Sequence, residues 1–139
     1  MKVSDIMTPK PVIITMDTEL REIKEIFDHA HFHHLLVEDE IDHTLVGVIS
    51  DRDLLFALSP YINTLAETAH DTETLYKHAH QIMSRNMVTI APDVECKAAA
   101  LKLLQAGISC MPVINPDKHI LGIVTWKDFL HLYAENRRR

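Results

Sequence analysis

The chain has 139 residues, of which 47% are apolar and 24% are charged, so it is expected to form about one globular domain's worth of structure. Its formal net charge of −6 argues against a nucleic-acid-binding protein, which needs a basic face. No apolar run approaches the ~18 residues of a membrane span, and no signal-peptide core is visible, so a cytoplasmic protein without a membrane segment is expected. Cys96 and Cys110 are expected to be reduced.

The first part of the chain predicts a β-α-β-β-α unit. A short helical turn ends at Pro9, because proline cannot continue a helix. Asp17 is a good N-cap for the first long helix, whose apolar residues recur at helical spacing. The elements are predicted at Val3–Met7 (turn), Val12–Ile14 (strand), Asp17–Ala30 (helix), Leu35–Val37 and Leu45–Ile49 (strands) and Asp51–Leu58 (helix).

The second part of the chain predicts the same order of elements. Between the two parts, Tyr61–His80 is predicted to be a connector helix with Thr72 as its cap. The sequence therefore divides into unit 1 (1–58), the connector (59–80) and unit 2 (81–139). Unit 2 is predicted to have strands at Met87–Ile90, Met111–Ile114 and Ile120–Val124, a helix from Asp93 to Ala106 that stops at Gly107, and a last helix at Trp126–Glu135.

The two units are an internal repeat, because their apolar and polar positions align in order. Met7 aligns with Met83 and Val37 with Val113, and after a one-residue gap Gly47 aligns with Gly122. One such unit has ~50 residues and makes a marginal core, with one face of its sheet bare. The predicted fold class is therefore α/β (α+β), with the two units packed through their sheets in pseudo-two-fold symmetry and a pair of equivalent clefts.

Each repeat ends on the same motif, which is Gly, two β-branched residues, a hydroxyl residue, two variable residues and Asp. It occurs at Gly47–Asp53 and again at Gly122–Asp128, where a strand turns into a helix. Free backbone N–H groups at such a turn suit a phosphate or another anion. The structural alternative is a capping box, which stabilises a helix by about 1 kcal/mol. The repetition of the motif favours a ligand site.

The paired motifs resemble a tandem cystathionine β-synthase (CBS) domain pair of the stand-alone bacterial type. Each motif closes a unit opened by Asp5-Ile6-Met7-Thr8-Pro9 or by Gln81-Ile82-Met83-Ser84, and the resemblance covers nearly all of the chain except the connector and the tail. It implies a regulatory module, not an enzyme, that binds AMP, ADP, ATP or S-adenosylmethionine in its clefts and uses no catalytic cofactor. It also implies a homodimer, with an unidentified effector protein as a further candidate partner. Neither a nucleic acid nor a membrane is expected as a partner.

The resemblance also implies site residues. A carboxylate can accept hydrogen bonds from both ribose hydroxyls, a role that falls to Asp53 and Asp128. The residues placed near ribose or phosphate are Ser50, Arg52, Asp53, Thr125, Lys127 and Asp128. The residues placed at the cleft walls are Val12, Ile13, Ile14, His34, Leu36, Val88, Thr89, Ile90 and Pro112, with His34 near a phosphate. Either unit could supply the adenine wall to a given Asp.

Other functions are less well supported. The ten histidines have no fixed ligand spacing, so no metal site is predicted. No nucleophile–base pair and no glycine-rich phosphate loop is visible, so no catalytic residue is predicted. The tail at residues 137–139 is expected to be a solvated end. The alternative function is a dimerising scaffold or interaction protein whose clefts are empty.

Overall fold

The computed structural model describes the backbone of residues 1–137 and the side chains of residues 1–135, so the end of the arginine tail lies outside the described residues. The elements, in chain order, are α1 (Val3–Ile6), β1 (Thr8–Pro9), β2 (Ile13–Thr15), α2 (Leu20–His29), β3 (His34–Glu38), β4 (Leu45–Ser50), α3 (Asp51–Ala57), α4 (Ala69–Glu73), a 3-10 turn (Thr74–Tyr76), α5 (Ala79–Ile82), α6 (Cys96–Ala106), β5 (Cys110–Ile114), β6 (Ile120–Thr125) and α7 (Trp126–Arg137).

These elements form two compact units. One unit consists of residues 12–42 and 46–85, and the other of residues 1–11, 43–45 and those from 86 onward. We call them the Asp53 unit and the Asp128 unit, after the aspartate of the repeated motif that each contains. Each unit has helices and one three-stranded sheet, which confirms the predicted mixed class.

The sheet of the Asp53 unit has the strand order β2-β3-β4. β2 runs parallel to β3, with Ile13 opposite Leu36. The central strand β3 is apolar throughout its middle, and both faces of it are covered because its three central residues are fully buried. Each fully buried Leu or Ile side chain contributes about 1.5–3 kcal/mol to folding. The core cluster of this unit is Ile14, Leu20, Ile23, Leu35, Val37, Ile49, Leu54, Ala79 and Met83.

The sheet of the Asp128 unit has the strand order β1-β6-β5. β5 and β6 form an antiparallel pair, in which Cys110 lies opposite Thr125. The other side of β6 pairs with β1, which the sequence did not predict to be a strand. Gly107 ends α6 with a φ of +66°, as predicted. The core cluster of this unit is Val3, Ile90, Ala99, Leu103, Met111, Val113 and Val124.

The lead segments of the two repeats are exchanged between the compact units. The N-terminal segment with α1 and β1 belongs to the Asp128 unit, whereas α5, which opens the second repeat, belongs to the Asp53 unit. There Ser84 exchanges two backbone hydrogen bonds with Val48, of 2.9 and 3.1 Å. The compact units therefore follow a different division from the sequence segments 1–58, 59–80 and 81–139.

The two long first helices begin two residues later than predicted. The N-cap of α2 is Glu19 rather than Asp17, and that of α6 is Glu95 rather than Asp93. Neither glutamate caps its helix through its side chain. The helix start is set instead by distant backbone, because the first helical N–H of each helix must find a partner. Leu20 N–H donates to the Lys77 carbonyl and Cys96 N–H to the Met1 carbonyl, both at 2.9 Å.

The connector is not one helix. It contains α4, a 3-10 turn and the start of α5, and the cap of α4 is Thr68 rather than Thr72. The Asp71 carboxylate contributes to this arrangement because it bonds both the start of the connector and the N-cap of α4. One oxygen accepts from the Ser59 hydroxyl at 2.6 Å, and the other accepts from the Thr68 amide at 2.9 Å.

The predicted strand at Met87–Ile90 is reduced to a single bridge between Ile90 and Val113. The preceding carbonyl, of Thr89, accepts a hydrogen bond of 2.8 Å from the Lys102 ammonium rather than from a neighbouring strand. Among the described residues, no helix combines the length and the apolar run that crossing a bilayer requires.

Candidate ligand sites at the two strand-to-helix turns

In the Asp53 unit, the motif forms a reciprocal pair of hydrogen bonds where β4 turns into α3. Ser50 is the N-cap of α3, and its side-chain oxygen accepts from the Asp53 N–H at 3.1 Å. Asp53 Oδ2 in turn accepts from the Ser50 N–H at 2.8 Å. This is the capping box that the sequence offered as the structural alternative, and it is confirmed. Within the described part of the chain, Asp53 Oδ1 accepts no hydrogen bond.

The Asp128 unit has the carboxylate half of this arrangement where β6 turns into α7. Asp128 Oδ2 accepts from the Thr125 N–H at 2.7 Å, and the Thr125 hydroxyl lies 3.4 Å from the same oxygen. The two aspartates are half-buried in their units. As in the first turn, Oδ1 of the carboxylate is engaged by no described residue. Each turn therefore fixes an ionisable carboxyl group by one oxygen and leaves the other oxygen able to accept hydrogen bonds from hydroxyl groups.

A second backbone contact brings the beginning of the neighbouring strand to each turn. The Asp51 N–H donates to the His33 carbonyl at 3.0 Å, and the Trp126 N–H donates to the Ser109 carbonyl at 3.1 Å. His33 and Ser109 are equivalent positions in the repeat. The residue after each of them, which opens β3 or β5, is thereby held at the first turn of the helix. This contact was not predicted, and only the repeat alignment carries a signal for it.

In the Asp53 unit, the residue held in this way is His34. Burial lowers the pKa of the His34 imidazole, and the nearby His33 lowers it further, whereas the carboxylates of Asp51 and Asp53 act to raise it. Because both aspartates belong to the first turn of α3, the imidazole lies in the electrostatic range of the motif. His33 itself bonds Asp51, with 2.8 Å between Nδ1 and Oδ2, and the sequence did not single it out.

In the Asp128 unit, the equivalent residue is Cys110. Burial raises the pKa of its thiol to about 11, so it is a neutral group at neutral pH. The basic residue of this turn is Lys127, whose ammonium lies 5.8 Å from the centre of the Trp126 ring, a cation–π distance. Arg52 occupies the corresponding place in the Asp53 unit and is exposed. The two turns thus share a frame and differ in their cationic groups.

The predicted adenine-wall residues differ in how accessible they are. Ile14 and Ile90 belong to the cores of their units. Leu36 and Pro112 are also buried. Because side chains alternate along a strand, they lie on the opposite faces of β3 and β5 from the residues of those strands that belong to the core clusters. The side chains that retain exposure are Val12, at 46%, and the half-buried Ile13, Val88 and Thr89.

Each compact unit contains a complete set of predicted site residues. Val12, Ile13, Ile14, His34, Leu36, Ser50, Arg52 and Asp53 belong to the Asp53 unit, and Val88, Thr89, Ile90, Pro112, Thr125, Lys127 and Asp128 belong to the Asp128 unit. Over the described residues, no group of three or more His, Cys, Asp or Glu side chains is arranged to hold a metal ion. The rings of His78 and His80 stack on each other with centroids 5.6 Å apart.

Comparison with known proteins identifies the family. The model of the CBS domain matches residues 3–60 and again residues 79–135. A CBS domain-containing protein of Dictyostelium discoideum is 30% identical over 131 residues, which are 94% of this chain and 89% of that protein. The chain also matches longer proteins and spans about a quarter of their length. One of these is L-aspartate semialdehyde sulfurtransferase of Methanocaldococcus jannaschii, with 28% identity over 95% of this chain and 23% of that protein.

Two similar solved structures contain adenosyl ligands. The CBS domain pair of protein MJ0100, in complex with 5′-methylthioadenosine and S-adenosyl-L-methionine, superimposes with a TM-score of 0.79 and 26% identity over 98% of both chains. CBSX2 in complex with AMP superimposes with a TM-score of 0.80 and 25% identity, again over 98% of both chains. The two matched segments and these likenesses agree, and the chain belongs to the CBS domain family as a tandem pair of CBS domains.

Proposed function

We propose that this protein is a regulatory module that binds adenine nucleotides or another adenosyl compound, such as S-adenosylmethionine, at its two strand-to-helix turns. The observation that carries the proposal is the unused carboxylate oxygen in both turns, on Asp53 and on Asp128. A capping box alone needs only the oxygen that accepts the backbone N–H. The second oxygen can accept a ribose hydroxyl, and the relatives with bound AMP or with bound S-adenosylmethionine carry ligands of this chemistry.

The accessible wall residues support an assignment of each ribose site to its own unit. In the Asp53 unit, Val12 and Ile13 lie at the start of β2, which pairs with β3, the strand that His34 opens. In the Asp128 unit, Val88 and Thr89 precede the Ile90 bridge to β5. We propose that Ser50, Arg52 and His34 serve the phosphate side of the first site. We propose that Thr125 and Lys127 have the equivalent role at the second site.

We further propose that the protein is not an enzyme and acts in the cytoplasm. The proposal includes no catalytic cofactor. The ligand acts by favouring one arrangement of the module over another, which requires that it bind the two arrangements with different affinities. The longer relatives that carry enzyme names contain much chain beyond the matched segment. Their catalytic activities therefore do not transfer with the CBS pair.

The experiment is a binding titration of AMP, ADP, ATP, S-adenosylmethionine and 5′-methylthioadenosine by calorimetry. The variants Asp53→Asn and Asp128→Asn keep an oxygen for the capping N–H and remove the negative charge. Each is expected to weaken binding at its own turn by about 1.5–3 kcal/mol, or roughly ten- to a hundredfold, because hydrogen bonds to charged groups have this strength.

The matched controls are Asp17→Asn and Asp93→Asn. These aspartates are exposed and occupy equivalent positions before α2 and α6, so they have the same charge but no place in the turns. They are expected to leave affinity unchanged. If all four variants bind every compound as the wild type does, the site assignment is wrong. If no adenosyl compound binds at millimolar concentration, the ligand class is wrong.

A second candidate function, a dimerising scaffold with empty sites, is favoured by exposed apolar side chains on the helices that follow the motifs. On α3, Leu55 and Phe56 are 72% and 85% exposed, and on α7, Leu130 and Tyr133 are 54% and 57% exposed. Exposed apolar groups of this size mark surfaces that contact other proteins. We propose a homodimer in either case, with an effector protein as a further partner, so ligand binding distinguishes the two functions.

A further inference from the structure

We infer that the Asp53 unit binds a phosphate-bearing adenosyl ligand together with a proton taken up by His34, whereas the Asp128 unit, with Cys110 in the equivalent position, binds its ligand without such a proton. This inference rests on the proposed function and adds the ligand class and the regulation of each site. It concerns the side chains that distinguish the two turns, since the backbone frame around them is shared.

The geometry places four titratable groups at the first turn. His33 bonds Asp51 through its ring at 2.8 Å and through its carbonyl at 3.0 Å. His34 follows it directly and is half-buried, and Asp53 is held in place by the Ser50 N–H. The backbone next to His34 is thereby held at the first turn of α3, and the imidazole lies within the electrostatic range of the carboxyl group assigned to the ribose.

The charged groups that act on His34 come from two places. Asp51 and Asp53 on α3 attract its protonated form, and His33 on its own segment repels it. The strands on either side of β3, which are β2 and β4, contain no ionisable side chain. Burial dominates these influences and lowers the pKa of His34 below its ordinary value, so the imidazole is neutral at pH 7 before any ligand binds.

A phosphate group would change this balance. It carries a charge of about −1.5 to −2 at neutral pH, and an anion beside an imidazole stabilises the protonated form. Binding would therefore raise the pKa of His34 and draw a proton from solvent. By linkage, affinity then increases as the pH falls from the pKa of the complex to that of the free protein, by up to about tenfold per pH unit, and is constant above this window.

The second turn contains no such group. Cys110 is half-buried, and its thiol, with a pKa raised to about 11 by burial, is neutral at neutral pH. The cation of that turn is Lys127, whose ammonium lies near the Trp126 ring, and no imidazole stands at the position equivalent to His34. The second turn is therefore suited to a ligand whose binding is independent of pH in this range, including one without a phosphate.

The direct test follows the His34 ring by NMR in the wild-type protein, from pH 5 to 8. The measurement is made with no ligand, with saturating AMP and with saturating 5′-methylthioadenosine, which has no phosphate. The His34 midpoint is expected to be higher by about one pH unit or more with AMP, since one pH unit corresponds to a tenfold linkage, and unchanged with 5′-methylthioadenosine. An unchanged midpoint in saturating AMP overturns the inference.

Exchange variants test the comparison between the two turns. His34→Cys copies the second turn into the first, and Cys110→His does the reverse. Calorimetry in buffers of different ionisation enthalpy counts the protons taken up with AMP, and Asp128→Asn or Asp53→Asn silences the other turn. The phosphate of AMP titrates near pH 6, but it does so equally in every variant.

We expect His34→Cys to abolish proton uptake at the first turn and Cys110→His to introduce it at the second. Uptake that persists in His34→Cys overturns the inference even though AMP binds, and the proposed function then stands. If AMP does not bind at all, the proposed function and this inference both fail. Thermal unfolding of both variants checks that a lost signal does not come from a lost fold.

Discussion

The side chain of Met7 packs against Gly122 so closely that a Cβ atom added to Gly122 would lie 2.7 Å from the Met7 sulfur and 2.7 Å from the Thr8 carbonyl oxygen. The repeat has a counterpart in Met83, which packs against Gly47 in the same way. Each methionine opens one sequence repeat and covers the motif glycine of the other. The glycines are therefore needed for the close approach of the exchanged lead segments, at ordinary backbone angles.

The first prediction compares Gly122→Ala with Gly47→Ala. The three atoms nearest to an added Cβ at Gly47 all belong to the Met83 side chain, whereas at Gly122 the nearest atoms include the Thr8 backbone carbonyl oxygen. A flexible side chain can move and a paired strand cannot, so we expect Gly122→Ala to destabilise the protein by about 1–3 kcal/mol and Gly47→Ala by less. Urea unfolding measures both.

A second substitution at each site provides the control for these glycine variants. Met83→Ala should restore part of the stability lost in Gly47→Ala, because it removes the sulfur and Cγ atoms that the new Cβ would meet at 2.5 and 2.8 Å and leaves only the Cβ of residue 83, at 3.0 Å. Met7→Ala should restore less in Gly122→Ala, because the Thr8 carbonyl remains. Equal rescue in the two double variants would contradict the assigned contacts.

The second prediction concerns the two hydroxyl residues of the motifs. The Ser50 oxygen accepts from a helical N–H at 3.1 Å, whereas the Thr125 hydroxyl lies 3.4 Å from a carboxylate that already has a partner. Ser50→Ala should therefore lower the free energy of unfolding by about 1 kcal/mol, the usual effect of losing an N-cap. Thr125→Val should lower it by less. The reverse order in chemical denaturation would show that the second hydroxyl is the stronger cap.

The third prediction is an acid-sensitive connector. The pKa of the Asp71 carboxyl is held below its usual value by hydrogen bonds. The bond from the Ser59 hydroxyl has the largest effect, and those from Thr68 add to it. A carboxyl group with a lowered pKa stabilises the fold above its unfolded pKa of about 3.9, and this contribution is lost as the pH falls through the lower folded value. Below about pH 4, the protection of the α4 amides against hydrogen exchange, measured relative to unprotected amides at the same pH, should therefore fall.

The same measurement on variants isolates Asp71. Asp71→Asn should already lower the protection of the α4 amides at neutral pH. It should also remove the dependence of this protection on acid. Glu73→Gln is the control, because that carboxylate is on the same helix, is 76% exposed and has only a 3.8 Å contact with His70. If Glu73→Gln has the larger effect, the connector is not held by Asp71.

The fourth prediction is that both cysteines are slow to alkylate in the folded protein. Burial raises the pKa of Cys110 to about 11 and also raises that of Cys96, and only the thiolate reacts. At pH 8 the thiolate fraction of Cys110 is then about a hundredfold lower than that of a thiol with a pKa near 9. Iodoacetamide labelling followed by mass spectrometry should modify both thiols rapidly in urea and slowly without it, and rapid native labelling of Cys110 would contradict its burial.

The fifth prediction tests the proposed homodimer. Phe56→Glu on α3 and Leu130→Glu on α7 should shift the protein toward the monomer in sedimentation velocity, because a charge cannot be buried unpaired in an apolar interface. Leu104→Glu is the matched control, since Leu104 is 74% exposed on α6. A monomeric wild-type protein would contradict the proposed homodimer. Dissociation by Leu104→Glu alone would place the dimer contact on α6 instead of on α3 and α7.

The sequence by itself determined the repeat, the order of the elements and the motif at the two turns. These features are local or periodic, and the β4 and β6 strands lie within one residue of their predicted bounds. The capping pattern could also be predicted, because Ser50 and Asp53 are three residues apart and each side chain can reach the backbone N–H of the other in a helical first turn.

Only the tertiary structure decided where α2 and α6 begin, how the lead segments are exchanged and what surrounds His34. Leu20 N–H finds its acceptor at Lys77, and no local pattern reports a partner so far away in the chain. The same holds for the Asp51 contact with His33, which holds the residue before His34 at the first turn of α3. Backbone groups must be paired wherever the chain folds, and the choice among distant partners depends on packing that short-range propensity does not contain.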